Sequence, residues 1–190
     1  MELYNNGHRN FGENKVQELI SKQKELPEDI KWHFIGHLQR NKVKYLAPFV
    51  HMIHSVDSLK LLKEVDKRGR QNERVIDCLL QMRIASEETK HGMLEKDIYE
   101  LLNSEVYKGS QNIRICGLMG MATHTDNSGQ IKEEFEKLSR LFYKLKQEHF
   151  KEKKFFREIS IGMTHDYSIA IESGSTMVRI GSAIFGKRVY

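Results

Sequence analysis

From one end of the chain to the other, short apolar runs alternate with longer amphipathic stretches. A chain patterned this way buries its strands in a parallel sheet covered by helices. The runs at 7–12, 31–38, 52–56, 74–84, 113–122, 159–163 and 177–181 read as strands. That at 74–84, RVIDCLLQMRI, is nearly continuous in apolar residues, as a strand covered on both faces requires. Between them, 14–26 reads as a helix with Val16, Leu19 and Ile20 on one side and Pro27 just past its end. Shorter helices are expected at 40–46, 94–103 and 167–172. Ser58 caps a helix that buries Leu59, Leu61, Leu62 and Val65. The longest helix starts at Asp126 or Asn127 and runs to about His149, with Ile131, Phe135, Leu138, Leu141, Phe142 and Leu145 at helical spacing. Seven strand and helix units are one short of a closed eight-stranded barrel, and an open doubly wound sheet can hold as many, so periodicity leaves both open.

With 190 residues and 39% hydrophobic content, the chain supports one substantial core, and a single domain over 1–190 is expected. The 31 Lys and Arg against 26 Asp and Glu are mixed along the sequence, which favours an ordinary solvated surface over a nucleic-acid interface. The lysines at 144, 146, 151, 153 and 154, interrupted by Glu148 and Glu152, read as the solvated end of the long helix. Cys78 and Cys116 each sit in an apolar stretch, as free thiols in a reducing cytoplasm do. The first residues lack a basic start followed by an apolar run, and no apolar stretch reaches membrane-spanning length, so an intracellular, soluble protein is expected.

In either parallel architecture the functional groups gather at the carboxyl ends of the strands. There the chain offers Asn14, His37, Ser55, Asp57, Thr123, His124, Thr164, Arg179 and Ser182, a polar ring without a nucleophile. The closing segment 172–188, ESGSTMVRIGSAIFGKR, is the most informative. Gly181 allows close backbone approach, and Ser182 opens a turn whose free N–H groups suit a phosphate. Thr164, ending the neighbouring strand, could add a hydroxyl to the same oxygens. The alternative is a plain tight turn. Arg179 alternates with Val178 and Ile180, so its guanidinium points inward and needs a partner: an acidic group or ring nitrogen of a ligand, or a carboxylate such as Asp57. The pairs His33 with His37 and His51 with His54 lack a third ligand at metal-site spacing, and no metal is expected.

The blocks FGENKVQE at 11–18, WHFIGHLQRNK at 32–42, GLMGMAT at 117–123 and GMTHDYSIAIESGSTMVRIGSAIFG at 162–186 together resemble the pyridoxal phosphate homeostasis protein family. The resemblance spans almost the entire chain. It implies the α/β fold of the alanine racemase N-terminal domain, a (β/α)8 TIM-like barrel with pyridoxal 5'-phosphate at the carboxyl ends of its strands. It further implies Arg179 beside the pyridine nitrogen, Thr164, Gly181 and Ser182 on the phosphate, and Asn14 near the ring. Thr164 stands where the family more often has serine, which keeps the hydroxyl.

In that family a further strand and helix precede the block corresponding to 5–14, and the strand carries the lysine that joins the cofactor aldehyde as a Schiff base. No lysine of this sequence matches it: Lys15 and Lys42 lie in helix starts. The expectation is therefore a truncated barrel, incomplete at its N-terminus, whose site takes pyridoxal phosphate without the covalent link, or a phosphate or sulfate ion. The implied function is a non-catalytic protein of vitamin B6 homeostasis that passes cofactor to apo-enzymes, with neither nucleic acid nor membrane as partner. A pyridoxal-phosphate-dependent racemase or decarboxylase is the alternative, and a sugar-phosphate isomerase or aldolase barrel would use the same turn.

Overall fold

The computed structural model describes residues 1–87 and 91–186. A one-turn helix α1 (Glu2–Asn5) leads into strand β1 (Asn10–Glu13), helix α2 (Val16–Glu25) and strand β2 (Lys31–Phe34). A 3-10 turn at Arg40–Lys42 precedes α3 (Val43–Leu46), β3 (Met52–Val56), α4 (Leu59–Gln71), β4 (Ile76–Gln81), α5 (Glu95–Asn103) and α6 (Glu105–Lys108). The remainder runs β5 (Ile113–Met119), α7 (Ser128–Glu148), β6 (Glu158–Met163), α8 (Tyr167–Glu172), β7 (Met177–Arg179) and α9 (Ser182–Phe185).

The strands form one sheet in chain order from β1 to β7, each parallel to its neighbours. A doubly wound sheet would reverse its order at a switch point, and this one does not. The sheet also curls. His54 of β3 lies 3.0 Å from Ser160 of β6, although three strand spacings in a flat sheet would separate them by about 14 Å. Sequential order with that curvature makes a nearly closed α/β barrel of the TIM type, with β1 and β7 at the ends of the ladder.

Two cores follow. Outside the barrel, strand residues such as Phe34, Ile53, Leu80 and Leu118 pack with Leu19, Leu62, Phe135 and Leu138 of the helices in one continuous cluster. Each such side chain contributes about 1.5–3 kcal/mol by leaving water. Inside, Met52, Leu79, Cys116 and Met119 form a small core with Met121 and Met177 against it. Ser58 Oγ accepts the Leu61 N–H at 3.3 Å and caps α4 as its position predicts. For the longest helix, Asn127 rather than Asp126 is the cap, its Oδ1 accepting the Gln130 N–H at 3.2 Å.

Several strands are shorter than their apolar runs. The first begins at Asn10 because the residues before it coil into α1, with the His8 N–H bonded to Leu3 O at 3.0 Å. The second stops at Phe34, after which the chain turns onto the end of β1: a Cβ on Gly36 would lie 2.1 Å from Asn14 O. The fourth begins at Ile76 because Arg74 turns aside to donate to Ala47 O and Val50 O at 2.6 and 2.8 Å. Among the described residues, no helix is long and apolar enough to cross a membrane.

Candidate functional site

The carboxyl end of β6 is shaped by Asp166, which is 1% exposed. Its Oδ1 accepts the Met163 N–H at 2.6 Å and its backbone N–H donates to Met163 O at 3.2 Å, closing a tight turn around Thr164. Gly162 has φ +92°, and a Cβ there would lie 2.5 Å from Ala170 Cβ, so α8 packs directly on the strand. The turn brings Thr164 Oγ1 within 3.4 Å of the Gly181 N–H, which donates to it. Beyond Gly181 the chain enters α9, whose first-turn amides at Ser182 and Ala183 lack intrahelical acceptors. A Cβ on Gly181 would meet nothing within 4 Å, so this backbone faces open space. Thr164, Gly181 and Ser182 thus stand together, as their sequence positions predict.

Arg179 ends β7, beneath this turn. Its Nη1 donates to Ser160 O and Ser160 Oγ, both at 2.7 Å, and its Nη2 donates to Gly120 O at 3.0 Å. All three acceptors are neutral, and Arg179 makes no ion pair among the described residues. The carboxylate of Asp57 instead faces His37, with Oδ2 3.4 Å from Nδ1. Burial lowers the Arg179 pKa to about 10, partly offset by the charge of Asp166, so the guanidinium stays protonated at neutral pH. Of the five N–H groups of an arginine, those on Nε and one on Nη2 have no acceptor among the described residues.

The other expected site residues are placed differently. Asn14 is exposed at the end of β1, on the opposite end of the ladder, and no contact joins it to Thr164, Gly181 or Ser182. Ser55 is fully buried within β3. Thr123 is a structural tie: its N–H and hydroxyl both donate to the buried Glu134 of α7 at 2.7 Å. His124 sits edge-on to His165, ring centroids 5.2 Å apart, between the loops after β5 and β6.

Sequence reasoning missed the polar chain inside the barrel. Ser160 Oγ, which meets Arg179, also lies 3.0 Å from His54 Nδ1. His54 Nε2 lies 2.9 Å from His33 Nδ1, and His33 Nε2 lies 3.2 Å from Asn10 Oδ1. His33 therefore partners His54, not His37. Burial first, then the neighbouring His51, lowers the His33 pKa to about 4. Burial first, then His33, holds that of His54 well below its ordinary value. The available signal was period two: His54 lies two residues from Met52, whose side chain is in the inner core.

The family model described as the alanine racemase N-terminal domain matches residues 1–189. The pyridoxal phosphate homeostasis protein of Aquifex aeolicus (strain VF5) is 40% identical over 190 residues, which cover 100% of this chain and 81% of that protein. PipY, the COG0325 family member of Synechococcus elongatus PCC7942, is 32% identical in its structure without PLP, with a TM-score of 0.89 over 97% of this chain and 85% of that one. Its structure with PLP bound gives 0.83 at 31% identity over the same shares. An alanine racemase from Bartonella henselae, 12% identical with a TM-score of 0.69 over 98% of this chain and 50% of that one, shares the fold. Matched along its length by both the barrel family and a relative of this identity, the chain belongs to the pyridoxal phosphate homeostasis proteins, built on the alanine racemase N-terminal barrel.

Proposed function

We propose that this chain binds pyridoxal 5'-phosphate without catalysing a reaction on it, and that it buffers the cofactor and passes it to apo-enzymes of the cytoplasm. The observation that carries the reading is a protonated Arg179 held only by neutral acceptors directly below the open turn of Thr164, Gly181 and Ser182. These residues fit the cofactor. The Gly181 to Ala183 amides and the Thr164 hydroxyl would hold its phosphate. A free Arg179 N–H would donate to its pyridine nitrogen, and Asn14 would approach the ring from the other end of the ladder. Relatives named for pyridoxal phosphate homeostasis, and PipY solved with PLP bound, support the assignment.

Pyridoxal phosphate, when bound, supplies an aldehyde and an electron-accepting ring. A guanidinium is a donor only, so Arg179 would leave the ring nitrogen of a bound cofactor unprotonated and its ring a weak electron sink. This supports binding over catalysis. Held by these groups alone, the cofactor would be released by dilution.

Equilibrium dialysis with pyridoxal phosphate tests the binding. One saturable equivalent is expected, displaced by inorganic phosphate in excess and weakened about tenfold or more in Thr164→Val. Absence of saturable binding would overturn the reading. Amino acid racemisation and decarboxylation assays with added cofactor test the rest; turnover above that of free cofactor would favour an enzyme.

A further inference from the structure

We propose that His37, Asp57 and His91 form a binding site for a divalent transition metal at the carboxyl ends of β2, β3 and β4. The proposal is independent of the pyridoxal phosphate reading and rests on different residues. One ligand atom from each of the three lies within 4.8 Å of the others, and no comparable group occurs elsewhere among the described residues.

Each ligand is carried by fixed backbone. His37 follows the turn in which Gly36 packs against Asn14, where a Cβ would lie 2.1 Å from the carbonyl oxygen. Asp57 follows β3 directly, and Ser58 Oγ donates to its Oδ1 at 3.3 Å. That bond leaves Oδ2 to face His37 Nδ1 at 3.4 Å. A neighbour that orients a ligating carboxylate is a usual part of a metal site. His91 adjoins a short segment laid back onto the end of β4. The Met93 N–H donates to Gln81 O at 2.8 Å, the Arg83 N–H donates to Met93 O at 2.9 Å, and Gln81 Nε2 donates to His91 O at 3.3 Å.

Two imidazoles and one carboxylate are the donor set of Zn2+, Co2+ and Ni2+ rather than of Mg2+ or Ca2+, which take oxygen ligands. The His37 and His91 rings stack with centroids 4.1 Å apart and planes 14° apart. Metal bonds of about 2.1 Å in a tetrahedron put donor atoms roughly 3.4 Å apart. To ligate the same ion as His37, the exposed His91 ring would have to leave the stack by rotation about its side-chain torsions. His37 and Asp57 also line an open cavity of about 610 Å³ together with Arg40, Asn41 and Lys60. The three ligands are far apart in sequence and match no ligand spacing, so the sequence expectation of no metal rested on other histidine pairs.

The test is titration of untagged, metal-stripped protein with Co2+, read by its visible ligand-field bands and by metal retained through gel filtration. One equivalent is expected. His37→Ala and His91→Ala, at exposed positions that leave the fold intact, should each weaken it at least tenfold. The absence of saturable bands in the unaltered protein, or an affinity in both histidine variants equal to that of the unaltered protein, would overturn the proposal.

Discussion

His54 on β3 and Arg179 on β7 share one hydroxyl, that of Ser160, at 3.0 and 2.7 Å. The direction of the bonds follows from the far end of the chain. Asn10 Oδ1 can only accept, so His33 carries its proton on Nε2. A neutral His33 then accepts at Nδ1 from His54 Nε2, and His54 Nδ1 accepts from Ser160 Oγ. Ser160 Oγ is left with lone pairs for Arg179. The donors run one way, from the guanidinium to the first strand, and tie five strands across the barrel interior.

Removing the shared hydroxyl therefore strands two groups at once. In Ser160→Ala, His54 Nδ1 loses its donor and Arg179 loses one of its acceptors, and His54 is buried away from bulk water. Each orphaned buried group costs about 1–3 kcal/mol. A loss of about 2–5 kcal/mol in urea unfolding is expected at neutral pH, together with weaker binding of pyridoxal phosphate. A loss under about 1 kcal/mol would show that the chain is not continuous.

The same histidines set the acid limit of stability. His33 and His54 are neutral in the fold and titrate near pH 6.5 once unfolded. Between those values the unfolded state binds more protons, so stability is full above about pH 6.5 and falls as pH drops towards 4. His33 alone contributes a loss of about 3 kcal/mol across that window. Urea midpoints measured from pH 7.5 down to 4.5 should fall steadily. A flat profile over that range would mean that the pair is not buried neutral.

Arg179→Lys keeps the charge and loses the fork. An ammonium on a single point cannot reach Ser160 O, Ser160 Oγ and Gly120 O with the geometry of a planar guanidinium and still present a free N–H upward. Pyridoxal phosphate affinity should drop about tenfold or more in equilibrium dialysis, whereas inorganic phosphate, held by the turn, should bind nearly as before.

What the sequence made legible was set by how local the determining physics is. The turn of Gly181 and Ser182, the cap at Ser58 and the long helix depend on neighbours in the chain and could be placed by number, and the cap of that helix could be placed to within one residue, Asp126 or Asn127. Barrel against open sheet could not be decided by periodicity, because both use the same strands; strand order and the His54 to Ser160 bond decide it. The alternative that paired Arg179 with Asp57 failed for a related reason. A buried cation needs satisfied N–H groups, not necessarily a carboxylate, and two carbonyls and a hydroxyl meet that need. The early end of β2 and the late start of β4 were set by groups distant in sequence, Asn14 against Gly36 and the carbonyls that draw Arg74 aside.

Gly162→Ala probes how the helix after β6 holds the phosphate turn. The new methyl would sit 2.5 Å from Ala170 Cβ and 3.2 Å from Tyr167 Cα, on a backbone with φ +92°. Left-handed backbone costs a residue with a side chain about 1–3 kcal/mol, and overpacking adds about 1–3 kcal/mol. A total of about 2–5 kcal/mol is expected in urea unfolding. Because α8 must move away from β6, the turn held by Asp166 moves with it and Thr164 withdraws from Gly181, so pyridoxal phosphate affinity should fall as well. Ala170→Gly in the same chain removes the methyl that is struck but not the backbone strain. The double variant should therefore recover the overpacking share and much of the affinity, while the strain of about 1–3 kcal/mol persists. Recovery of full stability would show that Gly162 is required for space alone, and no recovery would show that α8 does not bear on the turn.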